Sequence, residues 1–565
     1  MNRTTSILTA GLLAACASLL QPAPAAACGG FFCSQSAPVN QQAERIIFSD
    51  NGDGTVAAVI QILYSGPSER FAWVLPVSGA PDVGVSSNVA FQRLQQQTNP
   101  TYQLNRIIEG SCASDFRGGP SSAEDSAGAV DAGAAADAGA APPVSVVDGG
   151  SVGPYDYVTI ALNPELENPG DAAVEWLTAE GYDVSDMGRD TLGPYLASGM
   201  NLIAFRLTKG SSTGSIRPIV LTYEMGSPMI PIRPTAVAAE RDMGVMVWVL
   251  GESRAVPMNY RHLVLNQALI NWFNPGSNYD AVVTAAADES GGQGFVTEHA
   301  GPRDTVLTQP LFNEWEELRL ADFEGVGDGQ VLTQILNQFR GWDGIREAVT
   351  AAVPVPEGLE LETFLGCPGC YYDWRDEEIP GFEREVFFES MEENVLAPMR
   401  ATQELMERAD WITRMYTTMS AEEMTMDPIF GFNRDLGPHS NQHVADQIIH
   451  CRPDRTQADA SWTIETPNGD RIVGEGRTWP ISFGEVPAAR RIEQADAAGE
   501  PEVVEDRGPT IQESLAEINA DFTPTLAPPL DAGVSGGGGC SAGGTGAGLG
   551  FALALLGLVA LRRRR

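Results

Sequence analysis

The chain has 565 residues, 74 of them Asp or Glu against 35 Lys or Arg, giving a net charge of -39. A field of that sign repels phosphate backbones and anionic lipid, so nucleic-acid binding and broad adhesion to a membrane surface are both disfavoured. The apolar share, 43%, is that of an ordinary globular body, and the length does not limit the core.

Residues 1–27 read as an export signal. Arg3 supplies a positive start, "ILTAGLLAACASLL" a short apolar run, and "QPAPAAA" a small-residue cleavage site near Ala27. "LAAC", ending at Cys16, resembles a lipobox and offers a competing cleavage point; the apolar run continues past Cys16 to Leu20, which favours the Ala27 region. Residues 28–487 then form an exported body holding Cys28, Cys33, Cys112, Cys367, Cys370 and Cys451. An even set outside the cytoplasm points to disulfides, though many pairings satisfy it. Local loops Cys28–Cys33 and Cys367–Cys370 with a long-range Cys112–Cys451 closure are one arrangement among these.

"ERIIF", "TVAAVIQILYSG" and "RFAWVLPV" are rich in β-branched and aromatic residues, with "NGDG" as a turn, and predict three antiparallel strands. "SSNVAFQRLQQQT" predicts a short helix capped at Ser86, Ser87 or Asn88. Residues 117–153 are dominated by Ala, Gly and Asp and are read as a disordered insert. "YDYVTIAL" predicts a strand and "NPGDAAVEWLTAEGYDVS" a helix. "GMNLIAFRLTKG", "SIRPIVLTYEM", "MGVMVWVLG" and "HLVLN" predict further strands.

Beyond Ala268 the spacing of apolar residues turns helical, most of all from Glu385 to Ser420, where Pro398 should kink or divide the run. Its methionines, Met391, Met399, Met406, Met415 and Met419, are read as core filling rather than a copper surface. "IETPNGDRIV" predicts a hairpin with an Asn-Gly turn. The fold class expected is α+β: a β-rich N-terminal half with antiparallel strands, a helical C-terminal half, and disulfide links.

Residues 488–539 read as an acidic, Pro/Gly-rich spacer. The tail, 540–565, combines Cys540, an uncharged Ala/Leu/Gly run and Arg562, Arg563, Arg564 and Arg565. As a helix the run from Gly543 to Leu561 would extend about 28 Å, close to the ~30 Å hydrocarbon core. The arginines would stay cytoplasmic and leave the body outside. This pattern resembles the MYXO-CTERM sorting tail of myxobacterial surface proteins. That resemblance implies a sorting protease acting near Cys540 and retention at the cell surface; the alternative is a permanent inner-membrane anchor.

"ACGGFFC", "FAWVLPV", "WLTAEGYDV", "YLASGMNLIAFRL" and "WITRMYTTMSAEEMTMDPIF", in this order, resemble domain-of-unknown-function family 2330, over roughly Cys28 to Phe432. The resemblance implies an exported domain with Cys28 and Cys33 as a structural signature. It carries no catalytic residue, because the family has no established activity.

Among candidate chemistries, "PHSNQHVADQIIHC" holds three of the five histidines, His439, His443 and His450. On a helix His439 and His443 share a face with Asp446, so these three are the candidate ligands of a divalent metal. His450 would lie too far along the helix, and the Glu general base of an HExxH enzyme is absent. "GCPGC" places Cys367 and Cys370 in a C-x-x-C pair. A redox role needs a strand before it and a helix after, and the acids that follow argue for a structural cystine. Asp376, Glu377 and Glu378 are read as a solvated turn rather than a calcium site. With no complete catalytic constellation and no cofactor motif, the expectation is a non-enzymatic envelope protein with a binding or structural role. The alternatives are a metal-binding protein or metal-dependent enzyme, and a thiol–disulfide redox protein.

Overall fold

A computed structural model describes residues 40–65, 72–113, 144–163, 166–182, 187–208, 216–237 and 239–524. The export signal, Cys28, Cys33, Cys540 and the arginine tail lie outside the described residues. So does the insert from 114 to 143.

The dominant element is a ten-stranded sheet. Its spatial order is β20 (Glu502–Asp506), β19 (Ala489–Gln494), β12 (Arg261–Leu265), β13 (Gly294–Pro302), β14 (Trp411–Met419), β10 (Ala239–Gly251), β1 (Asn40–Asp50), β2 (Thr55–Ser65), β9 (Ile219–Glu224) and β4 (Asp82–Val85). A second sheet runs β3 (Ala72–Val77), β8 (Asn201–Leu207), β7 (Tyr155–Leu162), β6 (Val144–Val152). A third runs β18 (Arg471–Glu475), β17 (Ser461–Glu465), β16 (Gln442–Cys451), β5 (Thr101–Gly110). β11 (Arg254–Pro257) and β15 (Phe430–Asn433) make a two-stranded ribbon. Most neighbours are antiparallel; β1 with β10, β12 with β13 and β16 with β5 are parallel.

Alternation along the central strands sends successive side chains into two cores. Ile46 and Phe48 of β1 and Val245, Val247 and Val249 of β10 face the second sheet, packing on Trp73, Ile203 and Phe205. The outer face of that sheet is covered by α2 (Pro169–Ala179) and α3 (Met187–Ala197). On the other side, Ile47, Trp248 and Ile412 meet a helical layer. This layer contains α1 (Asn88–Thr98), α5 (Asp328–Gln338), α6 (Ile345–Ala352), α7 (Arg384–Met391) and α8 (Ala397–Arg408). The β12–β13–β19 end is closed by α4 (Tyr279–Asp288), α9 (Gly508–Asp521) and the third sheet.

Local chemistry explains several boundaries. The Ser87 hydroxyl caps α1, accepting from the Val89 N–H at 3.2 Å. Pro398 cannot satisfy the carbonyl four residues back, at Asn394, and the chain passes through a π turn at Glu392–Leu396 before α8. The Asn394 carbonyl accepts instead from the Arg217 guanidinium at 2.5 Å. The expected hairpin forms between β17 and β18, with Gly469 at φ 79°.

The structure is α+β, and it corrects the expected division into halves. β14 to β20 all lie in the C-terminal half, so that half is not simply helical. The predicted helix from Glu385 to Ser420 stops at Arg408, and residues 411–419 are a central strand. Ile412, Thr413, Thr417 and Thr418 are β-branched, and all four are buried, on both faces of a central sheet position that a helix cannot fill. The three strands expected to run antiparallel do not stay in one sheet: β3 leaves β2 and pairs with β8 in the second sheet. Residues 144–152, assigned to the disordered insert, form β6 and turn through Gly153, at φ 52°, into β7. Residues 489–521, assigned to the spacer, are β19, β20 and α9, because Ile492, Ile511 and Leu515 complete the third core cluster. Met391, Met399 and Met406 are buried in the helix-side core and Met415 and Met419 in the inter-sheet core.

Candidate functional site

The histidine segment is a strand, not a helix, and that dissolves the proposed metal centre. "QHVADQIIHC" alternates inward and outward from Gln442 to Cys451. His443 and Asp446, three residues apart, therefore lie on opposite faces. His439 precedes the strand and exchanges backbone hydrogen bonds with Ala300, at 2.9 and 2.7 Å. His443 stacks on Tyr102 at 4.6 Å and meets the Gln267 amide at 3.0 Å. Asp446 accepts from Asn105 at 2.8 Å, and His450 lies between Glu109 and Thr463. Among the described residues no group of three His, Cys, Asp or Glu is placed to hold a metal ion.

Two disulfides are formed among the described residues, Cys112–Cys451 and Cys367–Cys370. The first ties the ends of β5 and β16, which run parallel in register from Thr101 and Gln442 to Gly110 and Cys451. The second closes the C-x-x-C loop. It follows a short helix, Leu361–Gly366, and leads into a single 3-10 turn. The strand-then-helix setting of a thioredoxin-like pair is not found there.

Polar side chains converge elsewhere, in a cleft of about 330 Å³ on the helix side of β1, β10 and β14. Alternation builds its floor. Arg45, Met246 and Tyr416 form one row across the three strands, and Trp248 and Arg414 belong to the next. An irregularity in β13 between Thr297 and His299 inserts Glu298 as an extra residue opposite β14. Bulges of this kind re-aim side chains beside functional sites. Gly244 leaves the mouth open: a Cβ there would meet the Tyr416 hydroxyl at 3.1 Å. The walls come from Gln95 and Asn99 at the end of α1, Tyr102 of β5, and Tyr279 and Asp280 at the start of α4.

Its charges are held firmly. Arg414 pairs with Glu298 at 2.5 Å, with side chains only 3% and 1% exposed. Arg414 also donates to Asn99 at 2.7 Å and to the Thr98 hydroxyl at 3.1 Å, and stacks over Trp248. The indole of Trp248 donates to the same hydroxyl at 3.0 Å. The Tyr279 hydroxyl donates to Glu298 at 2.6 Å. Burial pushes the Glu298 carboxyl up, against the pull of Arg414 and Tyr279. Burial and the Glu298 charge hold the Tyr279 hydroxyl well above its ordinary value, so it remains a donor. Tyr416 is likewise raised by burial and by Asp280, with which it shares a hydrogen bond.

Arg45 stands apart. It donates to the Gln61 side chain at 3.3 Å, and among the described residues no carboxylate pairs with it. Burial and the Arg414 charge lower its pKa. Gln61 is fixed in turn by Asn88, at 2.5 Å, and Asn88 by Asp343, at 2.8 Å.

A family model for an uncharacterized protein conserved in bacteria, DUF2330, matches residues 22–318. The chain belongs to this family. No curated protein and no solved structure matches it. The matched span includes Arg45, Tyr279 and Glu298 but ends before Arg414 and Tyr416, so the cleft is completed by residues beyond it. Sequence reading missed this site. Its signal was charge within strand-like runs: Arg45 in "ERIIF", Glu298 in "FVTEHA" and Arg414 in "WITRMYTT".

Proposed function

We propose that this is an exported, envelope-held protein that binds a small polar molecule in the Arg45–Arg414 cleft without transforming it. The carrying observation is that the buried ionisable groups of the cleft are committed to one another. Glu298 is taken by Arg414 and Tyr279, an arrangement that fixes a surface rather than moving a proton. A volume of about 330 Å³ lies at the small end of ligand pockets, which span roughly 300–1,000 Å³, and suits a metabolite rather than a chain of residues or sugars. Tyr102, Tyr279 and Tyr416 supply apolar faces, and with the hydroxyl protons of Tyr279 and Tyr416 taken by Glu298 and Asp280 their oxygens are left as acceptors.

The export-signal and sorting-tail patterns of the sequence support an address outside the cytoplasm, at the cell surface after processing or on the inner membrane otherwise. Unreduced mass spectrometry of the protein from its native envelope tests the address: a product beginning near Cys28 and ending near Cys540 is expected for the surface form. The binding reading is tested by methyl NMR of Met246 in the full chain against a library of metabolites. A bound ligand shifts that methyl and raises the melting temperature. A library that moves neither signal counts against the cleft as a binding site.

A further inference from the structure

We infer that Arg45 is the anion subsite of this cleft and that the ligand it receives carries a single carboxylate. The inference rests on the cleft being a binding site and adds the class of ligand. Two guanidinium groups face the space, and only one is neutralised in place: Arg414 has Glu298, whereas Arg45 has an amide oxygen at 3.3 Å. Asp280 stands at the exposed rim and is engaged by Tyr416. A cation half-buried on a packed sheet without a counter-ion is incomplete in a way that one anion repairs.

The choice of carboxylate over phosphate follows from charge and shape. One uncompensated positive charge matches a monoanion. A chain of net charge -39, with Asp280 at the rim, opposes entry of anything more negative. The planar fork of Arg also matches the two oxygens of a carboxylate. Arg45 is held for the task by the Gln61–Asn88–Asp343 relay, which anchors one edge of the guanidinium to the start of α1. Met246 and Tyr416, in the same row, supply the floor on which the body of such a molecule would lie.

The experiment is a ligand-detected NMR screen of the full chain with metabolite-sized carboxylic acids, each paired with its own primary amide, and with inorganic phosphate as a separate arm. Acids are expected to bind roughly tenfold tighter than their amides, the difference a charge-assisted hydrogen bond supplies. Arg45→Met should erase that difference, and Arg45→Lys should recover part of it, while circular dichroism reports whether each variant is folded. Acids and amides binding equally, or phosphate displacing the acids, would overturn the carboxylate assignment while leaving the cleft a binding site. If neither acids nor amides bind at the cleft, the binding reading itself falls.

Discussion

The same central strands bury charge on both faces, and the two faces treat it differently. On the helix side, Arg414 and Glu298 are nearly inaccessible and ion-paired with each other, and Arg414 donates to Asn99 while Glu298 accepts from Tyr279. On the inter-sheet side, Glu44 is 5% exposed among Ile46, Phe48, Ile60 and Leu221, and one carboxyl oxygen has no hydrogen-bond partner. Burial alone raises its pKa from 4.5 to about 7. Adjacent residues, Glu44 and Arg45, therefore project opposite charges to opposite faces and do not neutralise each other. A buried ion with a partner keeps its charge and becomes a fixed feature of a site; one without a partner gives up the charge instead.

Breaking the paired face should have the largest effect. Arg414→Met leaves Glu298 buried without a counter-ion and is expected to cost about 3–5 kcal/mol in urea unfolding at neutral pH. Adding Glu298→Met should restore most of that loss, since an apolar pair of similar volume replaces an ion pair at little net cost. A single variant as stable as the parent would show that the pair does not hold the floor of the cleft.

The unpaired face should respond in the other direction. Because the folded pKa of Glu44 is raised, its contribution is fully present below 4.5, the unfolded value, and is lost as pH rises through about 7. Glu44→Gln is therefore expected to leave stability near pH 4 almost unchanged and to raise it at pH 8 by about 2–3 kcal/mol. Denaturant midpoints across that range check it; equal gains at both ends would mean that the gain does not come from ionisation of the buried carboxyl.

Much of the β framework was legible because β-branched and aromatic runs bounded by turn residues have one physical use. The Asn468-Gly469 hairpin and the Ser87-capped helix are cases where local chemistry decides alone. β14 and β16 were misread for opposite reasons. In "WITRMYTTM", Trp411, Ile412, Met415 and Met419 fall at helical spacing, and only burial on both faces reveals a central strand. In "HSNQHVADQIIH", the i and i+4 histidines imitate a helical ligand pair while the intervening residues alternate with period two. The cleft was hidden because Arg45, Glu298 and Arg414 come from distant segments, and only sheet register brings them together.

The histidines then give the smallest and most discriminating effect. Burial holds His439 down to about 3 and His443 to about 4, both below the usual 6.5. Their contribution is fully present above 6.5 and is lost as pH falls toward those values, opposite in sign to that of Glu44. Both rings are only partly buried, so the slope should be shallow. His443→Phe keeps a ring against Tyr102 and removes one titrating group. It should flatten the stability profile between pH 6.5 and about 4 while leaving the Glu44-dependent fall between 4.5 and 7 in place. Measured beside Glu44→Gln, it separates two opposed titrations that overlap in a single parent curve. If His443→Phe instead shifts the whole profile by a constant, the ring acts through packing on Tyr102 alone, and the acid sensitivity belongs to His439.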